Sequence, residues 1–236
     1  MSLDLNFAWE TMKQILAKGL PVSLELLALT VVISFPLGFL CAIVRFKKVK
    51  VIDQIMMVIM SFFKGTPLIV LIFIFYDALP GVLNEMGTRF GWTINFFHIN
   101  EMAYAVAVCC SFEIAICCET FRASLQAVGR DQMEAAHSVG MNSFQAYIHI
   151  IIPQAIVNAL PNLGNEVVNL FKGTSLIFYM GIQDIMGVAK ANAGTSYKYL
   201  EAYLDVFLIY VVLCYILQEV MLLLEKKAGK FAAVKS

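Results

Sequence analysis

Three ionisable side chains fall inside segments expected to lie within a membrane: Lys64 in FFKGTPLIVLIFIFY, Glu113 in VCCSFEIAICC and Glu166 in NLGNEVVNLF. A charge at that depth is costly, so such groups face protein or a water-filled cavity and mark a functional pathway or an internal pair. Two chemistries fit. Glu113 and Glu166 can present carboxylates in a polar cavity with Lys64 as the opposite charge, or Glu113 can pair with Lys64 or a neighbouring subunit for structure alone. Glu25 and Glu219 are weaker candidates because both fall near span ends.

Six cysteines (Cys41, Cys109, Cys110, Cys117, Cys118, Cys214) occupy apolar segments, which argues against disulfides. Cys110, Glu113 and Cys117 share one helical face, the spacing of a metal half-site. No histidine or second cluster completes a ligand set, and a free cysteine also serves as a small buried apolar residue. His137 and His149 have no partner at catalytic spacing. There is no Gly-rich Lys-Ser/Thr loop, no HExxH and no Ser/His/Asp order at membrane depth, so the chain has no means of hydrolysing ATP itself.

The elements that must position these residues are membrane helices. Of the 236 residues, 60% are hydrophobic and 14% charged, and mean hydropathy is +0.78, values of a polytopic helical membrane protein. Net charge is zero and the isoelectric point about 6.8, which gives no reason to expect a nucleic-acid partner. The expected fold class is all-α with about five spans in one domain, residues 1–236: about 21–44, 52–79 interrupted at Lys64-Gly65-Thr66-Pro67, 101–118, 148–171 and 203–224. Residues 1–20 read as an interfacial amphipathic helix, with Leu5, Trp9, Met12 and Leu16 on one face, or as a frayed terminus. The acids and aromatic in MSLDLNFAWE are unlike a cleaved signal, so the first span is expected to persist. Residues 172–199 read as a short, partly embedded helix followed by an extracytoplasmic loop.

Charge sets the expected orientation. With the N-terminus outside, the inner segments hold ten basic residues (Arg45, Lys47, Lys48, Lys50, Arg122, Arg130, Lys226, Lys227, Lys230, Lys235) and the outer segments six (Lys13, Lys18, Arg89, Lys172, Lys190, Lys198). That assignment makes residues 119–153 cytoplasmic. Good helix formers start at Arg130, with Asp131 and Glu134 in the first turn, where the helix dipole favours acids. Gly140 is placed to end that helix in a left-handed turn, and Asn142 or Ser143 to cap a second one. By itself this is also the pattern of an ordinary surface helix.

The layout Glu134-Ala135-Ala136, three residues, Gly140, nine residues, Ile150, one residue, Ile152-Pro153 resembles the cytoplasmic coupling loop of ABC-type importer permeases. Further stretches are similar to the polar amino acid uptake branch of that family: FFKGTPLIVLIFIFYDALP at 62–80, Glu119, Arg122 and Gly129 before the loop, and NEVVNLFKGTSL at 165–176. The resemblance covers roughly residues 60–225. Lys64 stands where that branch usually has Arg, which removes any bidentate contact. Glu113, Ala115 and Ile116, and Glu166 after Asn165, also depart from its pattern.

The resemblance implies a permease subunit that binds no cofactor itself. ATP and Mg would sit on two partner ATPase subunits, each gripping one coupling loop through Glu134, Ala135, Ala136, Gly140 and Pro153. A second permease chain, the same or related, and an extracytoplasmic solute-binding protein would complete a multi-pass assembly in a bacterial-type cell membrane. The substrate would be a small polar amino acid or a relative, including cystine and cationic or neutral amino acids. In the cavity reading of the ionisable residues, which rests on their depth and not on the resemblance, Glu113 and Glu166 contact its ammonium group and Lys64 its carboxylate. Gly65, Thr66, Pro67, Glu119, Arg122, Lys172, Thr174 and Ser175 would belong to a gate or docking region. A snorkelling lysine with helix-capping hydroxyls explains the last three equally well. The rival is an ion-coupled secondary transporter, which calls for internal repeats; the sequence shows none.

Overall fold

A computed structural model describes residues 3–47, 50–128 and 130–235. Lys48 and Gly129 lie outside the described residues, as do the side chains of Arg130, Lys230 and Lys235. Among the described residues there are eight helices and no strand. They are α1 (Leu5–Phe46), α2 (Lys50–Gly65), α3 (Leu68–Phe90), α4 (Glu101–Ala127), α5 (Arg130–Ser138), α6 (residues 143–173), α7 (Ile185–Ser196) and α8 (Tyr199–Lys235). Two 3-10 turns, Phe96–His98 and Thr174–Met180, precede α4 and follow α6.

Among the described residues, four helices are long and apolar enough to cross a membrane: α1, α3, α4 and α8. The fifth expected span is α6. Its regular part, Ile152–Gly173, has 22 residues, about 33 Å at 1.5 Å per residue, but a polar stripe runs along it.

Proline explains the local geometry. Three π turns, Ile15–Gly19, Ile74–Ala78 and Tyr147–Ile151, each end two residues before a proline (Pro21, Pro80, Pro153). Proline lacks the N–H that would bond four residues back and its ring crowds that carbonyl; a widened turn relieves both. At Pro67 the chain instead leaves the helix, with φ −55° and ψ 137°, which ends α2 and starts α3. The second apolar span therefore begins at Leu68 and runs to Phe90 rather than covering residues 52–79, and α2 is a separate amphipathic helix.

Two other segments differ from the sequence expectation. Residues 5–19 run into α1 without a break, and at 42 residues the helix is about 63 Å long, roughly twice a hydrocarbon core. Its N-terminal part is tied to α7 and α8: Lys198 Nζ lies 2.5 Å from Asp4 Oδ2, the Asp4 N–H donates to Glu201 Oε1 at 3.2 Å, and Asn192 donates to Gln14 at 3.1 Å. The Lys198 hydrogen bond holds the Asp4 carboxyl below the usual carboxylate range. Most of the expected loop after Met180 is α7, with Ile185, Val188, Ala189 and Ala193 fully or almost fully buried. Its polar sequence hid it because small residues, not large apolar ones, let it pack: a Cβ on Gly19 would stand 2.7 Å from the Asp184 carbonyl oxygen.

Two apolar clusters fill opposite ends of the bundle. One joins the start of α1, α3, the start of α4, α7 and the start of α8. The other joins the end of α1, α2, the end of α4 and the start of α6. Between them α1 lies against α4 through small residues, Thr30, Ser34, Gly38 and Ala42, all buried. A Cβ on Gly38 would come 2.5 Å from that of Cys117. Close approach through small residues is how membrane helices gain dispersion contacts, and Cys109, Cys110, Cys117 and Cys118 serve as such packing residues here.

Candidate functional site

The coupling segment is built around α5. Met141 N–H donates to the Ala136 carbonyl at 3.0 Å and Gly140 N–H to that of His137 at 3.0 Å, the paired bonds of a Schellman ending, with Gly140 at φ +85°. Asn142 then caps the next turn in a capping box with Gln145, both bonds 2.9 Å. His137 Nδ1 lies 3.0 Å from the Met141 carbonyl and His149 Nδ1 3.0 Å from that of Gln145, so both histidines serve the turn.

The two alanines of the motif sit in different surroundings. Ala136 is buried against the body and Ala135 and Glu134 are exposed. Val139 and Phe144 come next, at 74% and 73% exposure, beside a shallow hollow lined by Gly140, Met141, Gln145 and His149. Gln154 donates to Gln132 at 3.4 Å, and Pro153 is exposed one position into the regular part of α6. The result is a braced helix whose exposed face is polar apart from Ala135, followed at its end by the exposed apolar Val139 and Phe144.

Lys64 forms an ion pair with Glu119, and Arg122 Nη2 lies 3.7 Å from the same carboxylate. Lys64 thus pairs with Glu119, not with Glu113 as one of the two chemistries required. Gly65 and Thr66 carry the chain across the break, where Thr66 Oγ1 donates to the Phe62 carbonyl at 2.7 Å. The Lys64–Glu119 pair ties the end of α2 to α4 just before the coupling segment.

Glu113 is 1% exposed. Its Oε1 accepts from Cys117 Sγ at 3.4 Å, and Glu166 on α6 is half-buried. Among the described residues no group of three or more His, Cys, Asp or Glu is arranged to hold a metal. Lys172 is exposed, Thr174 Oγ1 donates to the Phe171 carbonyl at 2.7 Å and Ser175 Oγ to that of Lys172 at 2.7 Å. Both hydroxyls are therefore used as caps at the end of α6.

Sequence reasoning missed a polar ladder on α6. Asn158, Asn162, Asn165, Asn169 and Lys172 are all exposed, while Ala155, Ala159, Leu163, Val167 and Leu170 on the other face are buried. The spacing i, i+4, i+7, i+11, i+14 places the five on one side of a helix, and it was visible in the sequence. Beside it a hollow of about 150 Å³ between α6 and α8 is bordered by Asn165, Gln218 and Glu225. Asparagine amides left unpaired at membrane depth are too costly to face lipid, so this side meets water or protein.

Residues 34–230 match the family of binding-protein-dependent transport system inner membrane components. The chain belongs to this family. It is a multi-pass membrane protein and the permease subunit of an ABC importer, a family that works with ATPase and solute-binding partners. The permease is 36% identical to the probable amino-acid ABC transporter permease protein PatM of Vibrio harveyi, over 98% of each chain. It is 31% identical to the L-cystine transport system permease protein TcyL of Bacillus subtilis, over 97% of this chain and 93% of that one. Among solved structures, a crystal structure of an amino acid ABC transporter with histidines superposes with a TM-score of 0.81 at 29% identity, covering 96% of the permease and all of that chain. The methionine transporter MetNI in inward-facing form shares the fold, with a TM-score of 0.61 at 15% identity. Family membership sets aside the ion-coupled carrier.

Proposed function

We propose that the permease imports a polar amino acid or close relative, in a bacterial-type cell membrane, with its N-terminus extracytoplasmic and its C-terminus cytoplasmic. In this reading residues 119–153 are the cytoplasmic coupling loop, residues 1–20 reach the outer membrane surface, and the chain is one transmembrane domain. Two ATPase subunits, which hold ATP and Mg, each grip one coupling loop; a second permease chain, the same or related, completes the pathway; an extracytoplasmic binding protein delivers the solute. The observation that carries the coupling role is the split on α5: Ala136 packs inward while Glu134, Ala135 and the neighbouring Val139 and Phe144 stay exposed. The Schellman ending and capping box make the segment a lever rather than a loose loop. ATP closes the ATPases, the levers move, and the helices exchange inward-open for outward-open. ATP and loaded binding protein shift that balance only by binding the two states unequally.

The solute path runs along the asparagine ladder, with the half-buried Glu166 as the acid beside it for a substrate ammonium and Glu113, buried in this conformation, joining the path when the helices exchange states. Because Glu119 engages Lys64, the exposed Lys172 is the better placed cation for a carboxylate, and Lys64, Gly65, Thr66, Pro67, Glu119 and Arg122 form the link between path and lever. Amino-acid names among the relatives support this substrate class. The test is ATP-driven uptake of labelled amino acids by the reconstituted transporter, with Glu113→Gln beside the unaltered chain. Removing one charge-assisted contact of about 1.5–3 kcal/mol lowers apparent affinity roughly 10-fold to 100-fold. Unchanged affinity and rate would remove Glu113 from the path and leave it a packing residue bonded to Cys117.

A further inference from the structure

The opposite end of the molecule holds a pocket that neither the coupling segment nor the asparagine ladder uses. It has a volume of about 280 Å³ and lies between the π turn of α3, the Phe96–His98 turn and the start of α4. Tyr76, Phe96, Phe97 and Tyr104 contribute its aromatic walls, and Asp77 and Glu101 contribute carboxylates. The volume falls just under the ~300 Å³ at which small-molecule sites begin, which suits an alkyl chain with one polar head.

The pocket is built rather than incidental. Tyr104, almost fully buried, donates its hydroxyl to the Phe96 carbonyl at 2.8 Å and meets the Tyr76 ring edge-on at 6.3 Å. Asn84 Oδ1 accepts from Phe96 N–H at 2.8 Å, Asn84 Nδ2 donates to Asn95 Oδ1 at 3.2 Å, and Asn95 Oδ1 accepts from Phe97 N–H at 3.0 Å. These bonds fix the turn that carries two of the four rings. Asp77 and Glu101 are exposed, and among the described residues neither is in an ion pair. Arg89, further along α3, is occupied by Glu85 at 2.7 Å.

Aromatic faces carry negative quadrupole charge and attract organic cations, and two free carboxylates add to the same preference. We propose that this pocket binds an alkylammonium or alkylguanidinium group. In the orientation proposed above, on which the choice of source rests, it opens on the extracytoplasmic side. The group then comes either from a lysine or arginine side chain of the docked binding protein or from a free cationic solute.

The chain has two tryptophans, and Trp92 sits 6.2 Å from the Phe96 ring, so it reports on the pocket once the exposed Trp9 is changed to Phe. The experiment titrates the full-length permease in nanodiscs with n-butylammonium, n-butylguanidinium and neutral 1-butanol, following Trp92 emission. Saturable change with the cations and none with butanol is expected, with apparent affinity falling about tenfold in Asp77→Asn or Glu101→Gln, both at exposed positions, and in Tyr76→Leu. An equal response to butanol, no saturation, or cation binding unmoved in all three variants overturns the proposal. In the assembled transporter, weaker association of the binding protein with Asp77→Asn and Glu101→Gln assigns the cation to that partner. Unchanged association alongside lost butylammonium binding assigns it to a free solute. Because the titration needs neither ATP nor transport, its outcome is separate from that of the importer reading.

Discussion

Ala135→Trp is expected to reduce ATP-driven uptake by roughly 100-fold, the scale of a coupling free energy of a few kcal/mol, while leaving the permease inserted and its thermal stability nearly unchanged. The reason is that Ala135 touches solvent in this chain. Surface changes away from packing usually alter stability by no more than about 0.5 kcal/mol, so a large functional loss has to come from a partner that approaches closely. Gly140→Asp tests the same lever from within. A non-glycine residue at φ +85° costs about 1–2 kcal/mol, and relaxing it breaks the turn that aims Val139 and Phe144. Insertion is checked by expression and size-exclusion profile, coupling by uptake and by ATP hydrolysis in response to loaded binding protein. Normal coupled uptake by both variants would mean that the segment is a surface helix and no more.

The second large effect is expected on the ladder. Asn162→Leu together with Asn165→Leu leaves the buried face of α6 untouched, since both side chains are exposed, Asn165 on the rim of the hollow beside α8. A polar solute passing along that side loses two amide partners, each worth about 1–3 kcal/mol when left unreplaced, and uptake falls at least roughly tenfold. Asn162→Ser with Asn165→Ser keeps hydrogen-bonding groups and retains most of the rate. Full activity in the leucine variant would mean that this side of α6 meets a second protein chain rather than the solute.

The coupling segment was the most legible part of the sequence because its signals are local: a first turn with acids, a glycine where the chain turns left-handed, an asparagine that caps the next helical turn. Pro67 is equally plain as a break, but the span lies after it, over Leu68–Phe90, and not around it. Apolar character continues on both sides of residues 64–67, and hydropathy alone does not say which side crosses the membrane. α7 was hidden for the opposite reason: Gly187, Ala189 and Ala193 pack by being small, and a scan for large apolar residues passes over them. The partner of Lys64 was beyond reach because α2 and α4 meet only through tertiary packing. Nothing in the chain order distinguishes Glu119 from Glu113 as the nearer acid. The asparagine ladder is helical in period but interleaved with Ala, Leu and Val, so the segment reads as one more apolar span and its polar face stays hidden unless the residues are laid out around the helix.

The most direct measurement is nucleotide-dependent cross-linking from Ala135→Cys in the assembled transporter, with a bifunctional maleimide and a surface cysteine on the ATPase subunit. Position 135 is exposed, whereas Cys109, Cys110, Cys117 and Cys118 are buried and Cys41 and Cys214 half-buried, so the new thiol reacts first. The account predicts a cross-link to the ATPase whose yield changes with ATP, and labelling by an impermeant maleimide only from the cytoplasmic side. Labelling from the outside, or an accessible thiol that never joins the ATPase, would contradict it.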